Sequence, residues 1–366
     1  MVRPKKKSSR SASPSELQKQ LEQLDRQLVQ TLHQRAELVS RLGELPKQDG
    51  QSALDDAAER QRLEALARTP GAMPEPYVRR ILRELASATR SLVRPIKVAY
   101  LGPKYSFSYL AAVERFGTAA DLIPVANIPA VFEEVNRRQV DFGLVPIENS
   151  TDGRIVDTLG MFARLPVQIC GEVQLRVHHN LLGKCSLSEV REVYSKPQAL
   201  SQCRNWLARN LPHTRAVEMT STAAAAELAA QREGAAAIAS YEAGISYGLD
   251  IIAANIEDNP NNITRFAVIG GQMAPRTGRD KTSVMFELPH KPGALADAMM
   301  VFKKAGLNLT WIESFPMPAT KSEYLFFVEF EGHPNEAKVK KALDDLRRKT
   351  VRVEVLGAYE KTELVG

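Results

Sequence analysis

The chain has 366 residues, of which 44% are hydrophobic, 25% charged and 6% aromatic, the proportions of an ordinary globular protein of two or three domains. These figures exclude collagen, extended disorder and a disulfide scaffold, and no apolar run reaches the ~18 residues that would span a bilayer. The net charge of +6 is concentrated in Arg3, Lys5, Lys6, Lys7 and Arg10, with no acidic residue before Glu16, so the body of the chain is nearly neutral and lacks a field that would attract nucleic acid.

Residues 1–15, rich in Lys, Ser and Pro, read as a disordered basic tail, and no apolar stretch follows that would make it a secretory signal. Leu17, Leu21, Leu24, Leu28, Leu32, Leu38 and Leu42 recur mostly at three- and four-residue steps. That spacing predicts an amphipathic helix over 17–45, with Ser15 as N-cap and Pro46 as its stop. Helical patterns also cover 54–67 and 75–92, the second with Val78, Ile81, Leu82 and Leu85 on one face. Residues 16–93 are therefore expected to form an all-α domain.

At Pro95 the texture changes. Strand patterns at 96–101, 122–125 and 142–145 alternate with helical ones at 106–116 and 128–138, which predicts a layered α/β domain with a largely parallel sheet. The pattern runs to residue 271, too long for one compact unit, so two lobes with a cleft between them fit better. A linker follows at 271–280. Residues 281–360 then read strand 282–288, helix 293–305, strands 307–314 and 324–330, helix 335–349 and strand 351–359, the βαββαβ order of the ferredoxin-like α+β unit.

Cys170, Cys185 and Cys203 are widely spaced, which fits buried thiols in a reducing cytoplasm. The six histidines show no metal-ligand spacing, and the adjacent His178 and His179 would point to opposite faces of a strand. Neither a metal nor another cofactor is expected.

Four clusters in the α/β region could carry chemistry: Gly102-Pro103-Lys104-Tyr105-Ser106-Phe107-Ser108; Val145-Pro146-Ile147-Glu148-Asn149-Ser150; Tyr194-Ser195-Lys196-Pro197-Gln198-Ala199-Leu200-Ser201-Gln202-Cys203; and Asn259-Pro260-Asn261-Asn262-Ile263-Thr264-Arg265-Phe266. The first three fall at carboxyl ends of strands, where open α/β sheets bind ligands. Each alone has a plainer reading as a helix cap or turn, and Ser221-Thr222 is read as a cap only. Together they offer hydroxyls, amides and one arginine but no obvious His or Cys nucleophile, which suits an anionic substrate and a reaction needing one proton donor.

In order and context the four clusters resemble those of prephenate dehydratase, above all Pro146-Ile147-Glu148-Asn149-Ser150, Pro197-Gln198-Ala199-Leu200 with Gln202-Cys203, and Thr264-Arg265-Phe266 after Asn262. Residues 96–271 resemble that enzyme's catalytic domain. Residues 281–360, with Gly293-Ala294-Leu295 and Glu313-Ser314-Phe315-Pro316, resemble an ACT domain. Residues 16–93 resemble the chorismate mutase domain of bifunctional P-proteins. The resemblance implies a two-lobed fold like that of periplasmic binding proteins, with prephenate in the cleft. Prephenate would lose water and carbon dioxide to give phenylpyruvate, in phenylalanine biosynthesis.

On that resemblance Thr264 is the candidate donor to the departing hydroxyl, while Arg265, Ser106 and backbone N–H groups hold the substrate carboxylates. Asn149, Ser150, Ser195 and Gln202 orient the rest, and Glu148 is either a structural acceptor or a general acid. Tyr105 stands in place of a family glycine, and Lys196 where the family often has histidine. In the mutase-like part Arg35 and Glu59 match the family, but Gln18, Pro46 and Ala58 stand where cations are expected. Lost cations weaken a pocket that must stabilise a dianionic transition state, so mutase activity is expected to be weak or missing. The ACT resemblance implies phenylalanine feedback through Gly293, Ala294, Leu295, Asn308, Glu313 and Ser314, and a homodimer or homotetramer. The alternatives are a fully bifunctional enzyme, an arogenate dehydratase, or a non-catalytic two-lobed ligand sensor.

Overall fold

The computed structural model describes residues 13–45, 56–316, 324–362 and 364–365, and the chain divides into two compact units, Met1–Pro95 and Ile96–Gly366. The first unit contains α1 (Pro14–Glu44), α2 (Asp56–Ala67) and α3 (Glu75–Ser91). Ser13, not Ser15, caps α1. Its hydroxyl accepts the Glu16 N–H, the Glu16 carboxylate accepts the Ser13 N–H, and Pro14 occupies the first helical position, where no N–H is required. The helix therefore begins inside the expected tail. Residues 1–12 and Pro46 lie outside the described residues. Leu17, Leu21, Leu24 and Leu28 are all exposed along α1, and Val39 is its buried residue.

The second unit opens with β1 (Lys97–Leu101), α4 (Phe107–Phe116), β2 (Asp121–Val125), α5 (Ile128–Asn136), β3 (Phe142–Asn149), the short β4 (Gly153–Arg154), α6 (Val156–Phe162) and β5 (Gln168–Arg176). The chain then crosses to a second lobe: β6 (Asn180–Gly183), β7 (Glu192–Ser195), α7 (Pro197–Gln202), α8 (Arg204–Asn210), β8 (Arg215–Glu218), α9 (Thr222–Ala229), β9 (Ala235–Ala239), α10 (Tyr241–Tyr247) and β10 (Asp250–Ala253). It returns as β11 (Ile263–Gly270), which inserts antiparallel between β3 and β5.

The sheets are thus mixed, not largely parallel. β1 pairs in parallel with β2 and β3, and β7 with β8 and β9, but β11 and β6 run the other way, and β10 pairs antiparallel with β6. A strand that comes back from another lobe need not follow the βαβ direction. β1 shows the side-chain alternation of a buried strand: Val98 and Tyr100 pack on one side, Ala99 on the other. In the second lobe β9 is wholly buried, and its alanines let Ala225, Ala226 and Ala229 of α9 approach closely.

The remaining elements are β12 (Asp280–Glu287), α11 (Ala294–Lys304), β13 (Leu309–Pro316), β14 (Tyr324–Glu331), α12 (Ala337–Arg347), β15 (Arg352–Glu360) and β16 (Leu364–Val365). β12 to β15 form an antiparallel sheet ordered β13-β14-β12-β15, with both helices on one face, around Phe286, Phe302, Phe330 and Leu346. The other face places Met285, Phe327 and Leu356 against Leu159, Phe162 and Ile169 of the first lobe. β15 joins the lobe's own sheet where Gly357 pairs with Ile169. A Cβ at Gly357 would run into the Ile169 carbonyl, so glycine is what lets the two sheets merge.

Candidate active site

β3 and β11 pair with Thr264 opposite Asn149 and Arg265 opposite Glu148. Successive side chains on a strand point to opposite faces, so the two pairs look in opposite directions.

On the first face lies a network built mainly of amides and hydroxyls. The buried Asn149 accepts the N–H groups of Thr151 and Asp152 on Oδ1, at 2.9 and 3.0 Å. Those two backbone donors fix its amide orientation. Its Nδ2 then donates to Thr264 Oγ1 at 2.8 Å and to Asn262 Oδ1 at 2.9 Å. Because the Thr264 oxygen accepts in that bond, its own proton remains available to another partner. Asn262 Nδ2 donates to Oε1 of Gln202, which stands at the end of α7 in the second lobe, at 2.9 Å. Gln202 Nε2 donates to Asp152 at 3.0 Å, so the network ties the lobes together.

Gln202 Oε1 also lies 2.8 Å from His179 Nε2. An amide oxygen can only accept, so Nε2 carries the proton and Nδ1 is a bare acceptor. Burial pushes the His179 pKa below its ordinary value, outweighing the opposing effects of Gln202 and Glu257. The ring is therefore a neutral, oriented donor. Ser150 closes the same corner: its hydroxyl accepts the Ile263 N–H at 2.9 Å and donates to the Asn261 carbonyl at 3.3 Å.

Ser106 caps α4, accepting the Tyr109 N–H at 3.3 Å and donating to the Leu101 carbonyl at 3.2 Å. What remains for an anion there is the pair of N–H groups of Phe107 and Ser108 in the first turn. Tyr105 has φ of 66°, the left-handed conformation that suits a glycine at this position. Its ring meets Tyr109 edge-on and also Tyr247 of α10, at 5.4 and 5.9 Å between centroids, and so reaches across to the second lobe.

Three expected residues are elsewhere. Ser195 has no exposed surface and donates to the Ile238 carbonyl at 2.6 Å, so it joins β7 to β9 and does not face a ligand. Arg265 and Glu148 lie on the face away from Thr264, because neighbours in a strand cannot share one side. There Arg265 pairs with Glu148 at 2.9 Å, Glu172 at 3.2 Å and Glu329 at 2.7 Å. Lys281 pairs with Glu172 at 2.7 Å and Glu329 at 3.0 Å. Burial alone would raise the Glu329 carboxyl, but Arg265 and Lys281, with hydrogen bonds from Thr310 and Tyr359, bring it down to about 2.

Sequence reasoning missed Asn262, His179 and Asp152 as network members. Asn262 stood in the fourth cluster as a marker only, and His179 was weighed only as a metal ligand. Among the described residues no group of three or more His, Cys, Asp or Glu is arranged to hold a metal, and no helix is long and apolar enough to cross a membrane.

In the C-terminal part Gly293, with φ of 81°, caps α11, which Ala294 and Leu295 begin. Asn308 accepts the Glu331 N–H at 3.0 Å on its carbonyl. Glu313 and Ser314 lie on β13, where Glu313 pairs with Arg154 at 2.9 Å. Phe315 packs on Gly160 of α6, inside the chain. In the helical unit, described by itself, Arg35 pairs with Glu59 at 2.5 Å and bonds Thr89 as well, while Arg90 reaches the same carboxylate.

Fold and site together define a two-lobed α/β domain that gathers uncharged donors at the crease between its lobes. Residues 98–274 match the family model for prephenate dehydratase, and residues 17–94 that for chorismate mutase type II. The chain is 42% identical to a bifunctional chorismate mutase/prephenate dehydratase of Aquifex aeolicus (strain VF5), over 95% of this chain and 98% of the relative. It is similar to the solved prephenate dehydratase of Arthrobacter aurescens in complex with L-Phe, at TM-score 0.67 and 32% identity, covering 73% of this chain and 90% of that one. It is also similar to GqqA, described as a novel type of quorum quenching acylase, at TM-score 0.66 and 29% identity, covering 73% and 98%. The chain belongs to the bifunctional chorismate mutase/prephenate dehydratase family: it is an enzyme, a prephenate dehydratase with a chorismate mutase domain ahead of it.

Proposed function

We propose that Thr264 donates the hydrogen bond that carries hydroxide away from prephenate while its ring carboxylate leaves as carbon dioxide. The products are phenylpyruvate, carbon dioxide and hydroxide, which becomes water by taking a proton from solvent. Aromatisation supplies the driving force, so the protein needs only to assist a poor leaving group. The observation that carries this reading is the bond from Asn149 Nδ2 to Thr264 Oγ1 at 2.8 Å. It occupies the threonine oxygen as an acceptor and turns its proton outward, a donor held in place before the reaction begins. Asn262, Gln202 and His179 hold Asn149 from behind. Ser150 braces the loop ends.

With Arg265 on the far face, the reading gives the substrate carboxylates to the N–H groups at the start of α4, next to Ser106. Acyl transfer would need a hydroxyl bonded to a base; Thr264 is bonded to an amide, which favours the dehydratase over that chemistry. Arogenate differs from prephenate in its side chain, not in the leaving hydroxyl, and competes as a substrate of the same site.

Residues 281–360 are, in this reading, an ACT domain that binds phenylalanine and lowers turnover. The βαββαβ order and the L-Phe complex of the Arthrobacter aurescens relative support it. Weak mutase activity rests on Gln18, Pro46 and Ala58 standing where cations are expected, since each missing cation withdraws stabilisation from a dianionic transition state. The exposed leucines of α1 favour self-association as a homodimer or homotetramer. Buried Cys170 and Cys203 fit a cytoplasmic setting. The test is phenylpyruvate formation by the full-length protein from prephenate, with and without phenylalanine, and from chorismate in parallel, together with phenylalanine formation from arogenate. Release from prephenate, suppressed by phenylalanine, is expected; no release would refute the reading.

A further inference from the structure

Behind the catalytic strands the charge cluster joins the first lobe to the C-terminal sheet. Arg265 directly follows Thr264, Glu148 directly precedes Asn149, and the two pairs are consecutive in the register of β3 and β11. Glu329 reaches Arg265 from β14, at 2.7 Å. It also receives Thr310 of β13 at 2.6 Å, Tyr359 of β15 at 2.7 Å and Lys281 of β12 at 3.0 Å. One carboxylate thus gathers all four strands of the C-terminal sheet onto the residue beside Thr264. Glu329 and Lys281 are buried, so water cannot replace the hydrogen bonds that Arg265, Lys281, Thr310 and Tyr359 would lose with the Glu329 carboxylate.

We propose that Glu329 is a positioning residue for the dehydratase site. By fixing Arg265, and Glu148 through it, Glu329 holds the ends of β3 and β11 in the register that lets Asn149 meet Thr264. The proposal rests on the reading of Thr264 as donor. A second contact runs in parallel: Arg154, beyond the Asn149 loop, pairs with Glu313 of β13 at 2.9 Å.

The experiment compares full-length wild type, Glu329→Gln and Thr310→Val, with Val328→Ala as a buried control on the same strand outside the cluster. Two quantities are read: kcat and KM on prephenate, and hydrogen–deuterium exchange of residues 145–154 and 261–266 relative to β1 and β2. Glu329→Gln is expected to lower kcat about tenfold, as misplacement of a reacting group does, with KM within about twofold. It should speed exchange of the two segments relative to β1 and β2. Thr310→Val, which removes one bond, gives a smaller change of the same kind and serves if Glu329→Gln does not fold. Val328→Ala leaves the exchange ratio unchanged. Wild-type kcat and exchange in a folded Glu329→Gln would overturn the proposal, as would equal changes in Val328→Ala. If wild type releases no phenylpyruvate, the donor reading fails, and the exchange ratio alone decides the positioning role.

Discussion

Asn149→Asp exchanges one atom and reverses the direction of the central hydrogen bond. The two acceptor bonds from Thr151 and Asp152 N–H, at 2.9 and 3.0 Å, survive, because either carboxylate oxygen accepts as the amide oxygen did. The donor side does not survive: the bonds of 2.9 Å to Asn262 Oδ1 and 2.8 Å to Thr264 Oγ1 become contacts between oxygens. Thr264 can relieve its contact only by donating its proton inward, and the leaving group then loses it. Asn262 can relieve its contact only by turning its amide, which breaks the bond to Gln202.

One unmade buried hydrogen bond costs about 1–3 kcal/mol of stability, which a chain of this size tolerates. Loss of an oriented donor to developing charge costs about 10²–10³ in kcat. The assay is phenylpyruvate release at neutral pH, repeated at falling pH. Activity should recover on acidification, since a protonated carboxyl can again donate to Thr264. A kcat within about threefold of wild type at neutral pH, or no recovery in acid, would refute the reasoning.

Two further predictions concern the frame. The His179 ring, followed by NMR, should titrate below the ordinary value of about 6.5. A lowered pKa for a base means the neutral form is favoured on folding, so its contribution to stability is present above pH 6.5 and lost as pH falls through the folded value; a midpoint above 6.5 would contradict the neutral donor. Gly357→Ala drives a Cβ into the Ile169 carbonyl and should cost about 3 kcal/mol or more. Gly271→Ala, with nothing within 4 Å, should leave thermal unfolding unchanged, and equal midpoints for the two would show that the sheet junction is not tight.

The architecture was legible because hydrophobic period changes at Pro95 and again past residue 271, and each period dictates its element. Strand direction was not: the sequence of β11 carries no mark of its return from the second lobe, so the sheets were expected to be more parallel than they are. The site shows the same division. Asn149, Gln202 and Thr264 meet as hydroxyl and amide chemistry suggests. Arg265 and Glu148 could have been sorted by strand alternation alone, since each is next to a residue assigned to the opposite face. Ser195 could not, because a buried serine bonded to a carbonyl looks the same in sequence as one beside a ligand. Glu329 and Lys281 were invisible for a third reason: their partners lie far away in sequence, and only the merged sheet brings them together.

The most direct test replaces Thr264 by two residues of similar size, one with and one without a hydroxyl. Thr264→Val should lower kcat by about 10²–10³ with little change in KM, while Thr264→Ser should retain most of the turnover. A Thr264→Val enzyme that still releases phenylpyruvate within about threefold of the wild-type rate would mean that a group other than Thr264 assists the departing hydroxide.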